Sequence, residues 1–398
     1  MQRLLIILGL VIIPFYEIFL KVLPFVKSIA PDSRCTKEAI ALVFALSIGL
    51  LAVFQGTLKP FKNKYFLIIP VFLLFNIIMA PHIDMFINNI ESGDFYFWKP
   101  FAEVLCFSLM IIAISSIEIN FDEILKIMVI CGTVMASYMI LQSLGFDQFW
   151  NVKPESVLAK VRNCAVGGNL GQYTIVASFI VMMVPLAMYL KKYWCALIIT
   201  TATIITTSAM AILSIFLVWI ISIFYLYKEL RRPMIILCII MAIVFPFLLF
   251  KNESLRDKII LRMDGRYEVW KQTLHDIKYG QIPSIKERFP YTGIGLGRFG
   301  YLFQQVHNVW FQQAHNDILE FIYDCGFIGG FLLLGGIVYM LLMTMTNLSP
   351  ICFSIILSFI TVFFCSLGSF PFQLGAHQFY SAVLVGLLHN EKIIRRVK

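Results

Sequence analysis

Five arginines and one histidine have side chains suited to chemistry on a phosphate ester. The arginines are Arg162, Arg262, Arg266, Arg288 and Arg298. Guanidinium groups bind phosphate oxygens through two parallel hydrogen bonds and keep their charge at any relevant pH. His315 can serve as a general base near neutral pH. The alternative is that these arginines are solvated surface residues and that His315 is a hydrogen-bonded histidine at an interface.

Most of these residues lie in or beside one polar stretch, Lys251–Gly326. The pattern Gly295-Leu296-Gly297-Arg298-Phe299-Gly300 matches GxGxxG, but a dinucleotide site also needs a preceding strand and a following helix. We therefore interpret these glycines as turn residues that let the backbone approach a ligand or a helix end closely. His307 is a second, weaker candidate base because no pattern surrounds it.

Residues that follow His315 have the spacing of an amphipathic helix. Acidic residues recur at positions i, i+3 and i+7 and predict an acidic face, with an apolar side opposite. The acidic residues are Asp317, Glu320 and Asp324, and the apolar ones are Ile318, Phe321 and Ile322. We predict that this helix continues into an apolar segment.

The composition predicts an all-α polytopic membrane protein. The chain has 398 residues, 60% of them hydrophobic and 14% charged, whereas soluble domains have roughly 45–50% and about 25%. Twelve apolar runs are candidate spans of a single integral membrane domain, residues 1–398. They are Leu4–Leu20, Ala39–Gln55, Phe66–Ala80, Phe101–Ile117, Ile124–Leu144, Leu170–Leu190, Trp194–Thr207, Ala209–Tyr227, Met234–Phe250, Phe327–Met345, Ile351–Leu367 and Phe379–Leu388.

Lysine and arginine residues predict the orientation of these spans. They cluster after the second, sixth, eighth and last runs, so these exits and both termini are predicted to be cytoplasmic. The net charge of +9 follows from such loops, and we predict no nucleic-acid partner. The segment 251–314 then forms a large external loop between spans nine and ten. Its ten basic and six acidic residues suit an anionic ligand, such as the diphosphate of a lipid arriving from the bilayer.

No metal or cofactor is predicted. The nine cysteines form no CxxC pair or Cys/His cluster with zinc spacing. The external loops also lack the Asp-x-Asp pairs with which many glycosyltransferases hold a divalent ion.

Three ordered motifs resemble the O-antigen ligase and polymerase superfamily of bacterial envelope proteins. They are Gly265-Arg266 with Trp270, the turn Pro290-x-x-Gly293-x-Gly295-x-Gly297-x-Phe299, and His315-Asn316 followed by Gly326 and Gly329-Gly330. Arg162 with Gly168-Asn169 resembles a further element of that family. The resemblance covers roughly residues 162–345.

This resemblance implies a metal-independent, inverting glycosyltransferase of the GT-C type in the bacterial inner membrane. Such proteins move a glycan from undecaprenyl diphosphate onto a lipid or glycan acceptor at the periplasmic face. By the resemblance, Arg266 would hold the diphosphate, His315 would activate or orient the acceptor hydroxyl, and Arg162 would assist. Further substrate-binding residues are expected at Arg262, Arg298, Trp270 and Asn316.

One position departs from the resemblance, and the exact activity stays open. Relatives commonly carry Ser-Arg between the seventh and eighth spans, where this chain has Ser208-Ala209. A ligase acting on the lipid A core and a polysaccharide polymerase fit the motifs almost equally well. A polytopic transporter or lipid flippase is the alternative from another class, and it would place charged residues inside the spans.

Overall fold

The structure is a computed structural model that describes residues 1–22, 33–57, 95–146, 173–206, 208–226, 253–279, 289–307, 313–345 and 349–390. Within these ranges every regular element is a helix and no strand occurs, which confirms the all-α prediction.

The helices before the polar segment are mostly apolar. They are α1 (Gln2–Val22), α2 (Ser33–Phe54), α3 (Phe95–Ser116), α4 (Phe121–Ser143), α5 (Tyr173–Val181), α6 (Val184–Tyr189), α7 (Tyr193–Ile205) and α8 (Ala209–Leu226). The remaining helices form the polar segment and the C-terminal part. They are α9 (Glu253–Tyr279), α10 (Phe289–Thr292), α11 (Phe299–His307), α12 (Asp317–Met345), α13 (Pro350–Ser366) and α14 (Gly375–Leu388), with a 3₁₀ turn at Pro371–Gln373.

The main hydrophobic core lies between the apolar helices. Helix α14 packs against α1, α2 and α3, while α13 packs against α5, α6 and α8. Four helical glycines lie where neighbouring helices approach most closely, so that a Cβ atom at any of them would come within 3.0 Å of a side chain. These contacts are Gly9 with Phe379, Gly49 with Leu109, Gly132 with Met183 and Gly386 with Ile114. Small residues at helix contacts are typical of helices packed within a bilayer.

Helices α9 to α12 form a second, smaller core. Its buried residues include Val269 of α9, Phe299 and Phe303 of α11, and Tyr323 of α12. The sequence predicts a large external loop over residues 251–314, and the described part of this segment is largely helical, with 27 residues in α9 alone. The reason is that Val269, Thr273 and Ile277 recur at helical spacing and give α9 a buried stripe.

Ten of the twelve predicted runs coincide with described helices, and Phe66–Ala80 and Met234–Phe250 lie outside the described residues. The predicted run Leu170–Leu190 has a two-residue turn, Met182–Met183, between α5 and α6. Pro185 lies in the first turn of α6. Because proline has no N–H to donate to the preceding turn, a continuous helix is disfavoured at this point.

Helix α4 is the one described helix whose length and apolar composition suffice to cross a membrane, and seven others are apolar but shorter. A core helix of a soluble protein meets the same criteria. The twelve spans and the membrane location therefore stay predictions.

Candidate functional site

The structure brings Arg266 and His315 together. Arg266 lies on α9 and His315 lies in the loop that leads into α12. Burial, and then the positive charge of Arg266, lower the pKa of His315 from 6.5 to about 4. The imidazole is therefore neutral at pH 7 and has a nitrogen lone pair that can accept a proton. We call Arg266, His315 and the Gly368 carbonyl the arginine–histidine site.

The backbone at His315 is held in an unusual conformation. His315 has a φ of 53°, in the left-handed region that few residues other than glycine adopt. Its neighbour Ala314 is fixed on both sides, because its N–H donates to Glu320 at 2.8 Å and its carbonyl accepts from Trp270 Nε1 at 2.7 Å. Strained backbone of this kind persists where surrounding contacts over-determine it, and it concentrates at functional sites.

Asn316 begins helix α12. Its Oδ1 accepts hydrogen bonds from two backbone N–H groups of the first helical turn, each at 3.1 Å, as an N-terminal cap does. Trp270 and Asn316 thus hold the loop that carries His315. Their predicted contacts with substrate stay predictions.

A loop between α13 and α14 completes the site. The Gly368 carbonyl accepts a hydrogen bond from Arg266 Nη1 at 2.7 Å, and the Phe370 ring lies 5.2 Å from the His315 ring, centroid to centroid. Asp317 of α12 accepts from Phe372 N at 3.0 Å and from the Gln373 side chain at 3.2 Å. These contacts fix the loop against α12, so the Gly368 carbonyl and Phe370 have defined places beside the arginine and the histidine.

The glycine turn, Gly293–Phe299, is attached to a kink in α12. Gly293 and Gly326 have φ values of 68° and 66°, and a Cβ on Gly293 would lie 2.2 Å from the Asp324 carbonyl oxygen. Gly295 N donates to that oxygen at 2.7 Å, and Gly297 N donates to Asp324 Oδ2 at 2.6 Å. The interpretation as turn residues is confirmed for Gly295 and Gly297, which approach the kinked helix, whereas Gly300 lies inside α11.

Arg298 lies inside the protein. It is 7% exposed, its Nη1 donates to the Ile294 carbonyl at 2.9 Å, and burial lowers its pKa while nearby Asp324 acts in the opposite direction. These contacts stabilise the glycine turn. Its predicted role in substrate binding stays a prediction.

The acidic face of α12 points inward. Asp317, Glu320 and Asp324 are all less than a tenth exposed, and burial raises the pKa of Asp317 and of Asp324 well above the ordinary value. A raised pKa favours the neutral carboxyl group. Asp317 and Asp324 therefore add less negative charge near the site than two ionised carboxylates would.

Several predicted residues lie outside the described side chains. Arg162 and Arg288 fall outside the described residues altogether, and Arg262 belongs to α9 through its backbone only. Ala209 begins helix α8. Its neighbour Met210 contacts the loop that holds Arg266, since a Cβ on Gly368 would lie 2.5 Å from Met210 Cγ. Position 209, where the family that the sequence resembles commonly carries arginine, thus immediately precedes a residue that contacts this loop.

Two features of this region have little signal in the sequence. One is the loop with Gly368 and Phe370, whose only sequence signal is the Gly-Ser-Phe-Pro break after an apolar helix. The other is a buried carboxylate, Asp276, which pairs with His307 at 2.6 Å. His307 is the weaker candidate base of the sequence, and spacing alone does not predict that Asp276 is its partner.

Comparison with known proteins does not assign the chain to a family. No family model matches the chain, and no curated protein matches it. Among the described residues, no three or more His, Cys, Asp or Glu side chains are arranged to hold a metal ion.

Proposed function

We propose that this chain is an O-antigen ligase-like glycosyltransferase with about twelve spans in the bacterial inner membrane and both termini in the cytoplasm. In this proposal it moves a glycan from undecaprenyl diphosphate to a hydroxyl group of the lipid A core at the periplasmic face. The observation that carries the proposal is the pairing of Arg266 with neutral His315 in the arginine–histidine site.

The two side chains suit a single displacement. Arg266 would pair with the donor diphosphate, and His315 would accept the proton of the acceptor hydroxyl as its oxygen attacks the anomeric carbon. The bond from that carbon to the diphosphate oxygen breaks, so the configuration inverts and undecaprenyl diphosphate leaves with the electron pair. The bound anion also offsets the positive charge that lowers the pKa of His315. The histidine therefore becomes a stronger base once the donor is in place.

The packing of the apolar helices supports a location in the membrane. Helices meet at Gly9, Gly49, Gly132 and Gly386. In addition, many serine and threonine hydroxyls donate to carbonyls three or four residues earlier, as Thr200, Ser358 and Thr361 do. Both features are common in bilayer-spanning helices, where no water is present to satisfy polar groups.

The test is complementation of a deletion strain. Arg266→Ala removes the cation, and His315→Asn removes the base with a residue that tolerates left-handed backbone. We expect both variants to reach the membrane and to leave lipopolysaccharide without long chains. The exposed Lys271 of α9 provides a matched control, Lys271→Ala, which should transfer glycan normally. Full transfer by both site variants would contradict the proposal.

The same profile separates ligase from polymerase. A ligase defect leaves lipid-linked polymer accumulating behind unmodified core, whereas a polymerase defect leaves the core capped with a single repeat unit. The motifs do not indicate which sugar is transferred. The test identifies the acceptor, because the glycan-bearing form of that acceptor is missing from the deletion strain.

A transporter is the second candidate because polar groups are buried between apolar helices. Gln378 of α14 donates to Glu103 of α3 at 2.7 Å, and Ser178 of α5 bonds His377 of α14 at 2.9 Å. Polar residues inside membrane helices often mark a transport path. Movement of labelled lipid by the purified protein in liposomes, without glycan transfer, would favour this function.

A further inference from the structure

Asp276 joins three helices of the polar segment. It lies on α9 and its side chain is 1% exposed. Its Oδ2 bonds His307 Nε2 of α11 at 2.6 Å and accepts from Tyr323 OH of α12 at 3.5 Å. We call Asp276, His307 and Tyr323 the Asp276 cluster. A carboxylate removed from water in this way needs hydrogen-bond partners, so the three helices are held to one arrangement around it.

The Asp276 cluster lies on the same helix as Arg266, beyond Trp270. Trp270 fixes α9 to the backbone beside His315 through its bond to Ala314. Asp276 follows six residues later, about 9 Å along the helix axis. The buried stripe of α9 also packs against these helices, and this second polar contact adds a direction-specific restraint at the far end of the helix.

The direction of α9 decides where Arg266 lies. Arg266 is four residues from Trp270, about 6 Å along the axis. A pivot of about 10° at Trp270 therefore moves the Arg266 backbone by about 1 Å, a displacement that can lower a catalysed rate by about 100-fold.

We propose that Asp276 is a positioning residue that keeps Arg266 beside His315. It acts through His307 and Tyr323, which hold the far end of α9 against α11 and α12. The effect of Asp276 on catalysis rests on the proposed function, whereas its effect on the position of Arg266 does not. The pKa of His315 is sensitive to the position of Arg266, because the charge of Arg266 adds to the lowering that burial causes.

The experiment measures the pKa of His315 in the purified full-length protein by C2-hydrogen exchange and mass spectrometry, which resolves each histidine separately. Arg266→Gln calibrates the method, and its His315 pKa should rise above about 4 by the part that the charge of Arg266 contributes, while the larger lowering from burial remains. His307→Leu removes the donor to Asp276 and should shift the pKa of His315 in the same direction. His307→Gln restores an N–H at the same reach and should return that pKa to the wild-type value.

Two further variants keep the test decisive. Asp276→Asn preserves the shape of the side chain and replaces a charge-assisted bond with a neutral one about half as strong, so we expect a smaller rise. Glu268→Gln removes an exposed carboxylate from the same helix and should change nothing. If folded His307→Leu or Asp276→Asn protein titrates His315 as wild type does, the positioning role is wrong. This measurement uses no glycan substrate. Its outcome is therefore independent of the complementation test, and the positioning role and the proposed function can fail separately.

Discussion

Replacing Gly293 with alanine should separate the glycine turn from helix α12. Alanine at a φ of 68° costs about 1–2 kcal/mol in backbone strain. The added Cβ would lie 2.2 Å from the Asp324 carbonyl oxygen, so the two backbones must part by about 1 Å to reach an ordinary contact. That movement breaks the bonds from Ile294 N to Tyr323 O and from Gly295 N to Asp324 O, each worth about 1 kcal/mol.

The expected loss is therefore about 3–4 kcal/mol of the free energy of unfolding, measured by SDS titration of the purified protein in mixed micelles. Substitutions at two other glycines separate the cost of backbone strain from the cost of the steric contact. A Cβ on Gly56, at a φ of 61°, meets nothing within 4 Å, so Gly56→Ala should show only the strain. A Cβ on Gly335, inside α12, also meets nothing, and Gly335→Ala should be neutral or stabilising by up to about 1 kcal/mol.

The order of the three variants is the result that matters. Gly293→Ala must cost more than Gly56→Ala, and Gly335→Ala must cost least. A Gly293→Ala protein that unfolds at the same SDS fraction as Gly56→Ala would refute the close approach of the turn to the kinked helix.

Three other predictions concern the arginine–histidine site. The pH profile of kcat/KM should lose activity on the acid side only near pH 4, because the base must be neutral and the pKa of His315 is lowered to about 4; an acid limb near pH 6.5 would contradict this. Trp270→Phe keeps a ring but loses the N–H bond to Ala314, and should lower the free energy of unfolding by about 1 kcal/mol together with glycan transfer. Ala209→Arg should tighten the binding of a diphosphate-bearing donor, measured by titration calorimetry, and unchanged affinity would remove position 209 from the site.

The helices could be predicted from the sequence because their signals are local. The apolar runs that form α4 and α13 are visible within their own segments of the sequence. The start of α12 follows from the helical spacing of the residues after His315. The turn between α5 and α6 was not predicted, and Pro185 alone does not reveal it, because Pro14 and Pro100 lie inside α1 and α3 without ending them. The glycine turn was recognised, although the helix it approaches was not.

The contacts that complete the site have no local signal. The Gly368 oxygen is a main-chain atom far along the chain from Arg266, and every residue type has a carbonyl. The inward direction of Asp324 depends on the glycine turn packing over it. The bond between Asp276 and His307 likewise exists only because α9 and α11 pack together, and spacing within either helix does not reveal that contact.

The bond from Arg266 to the Gly368 carbonyl also has a thermodynamic consequence. A long side chain loses about 1.5–2 kcal/mol of rotamer entropy when it is fixed in one place. Because the carbonyl already holds the guanidinium, folding bears most of that cost, and an arriving anion meets a donor group that is already ordered. Donor binding should then show a smaller entropic penalty than it would for an arginine extended into water. Since the holding atom belongs to the main chain, a substitution at position 368 does not remove it.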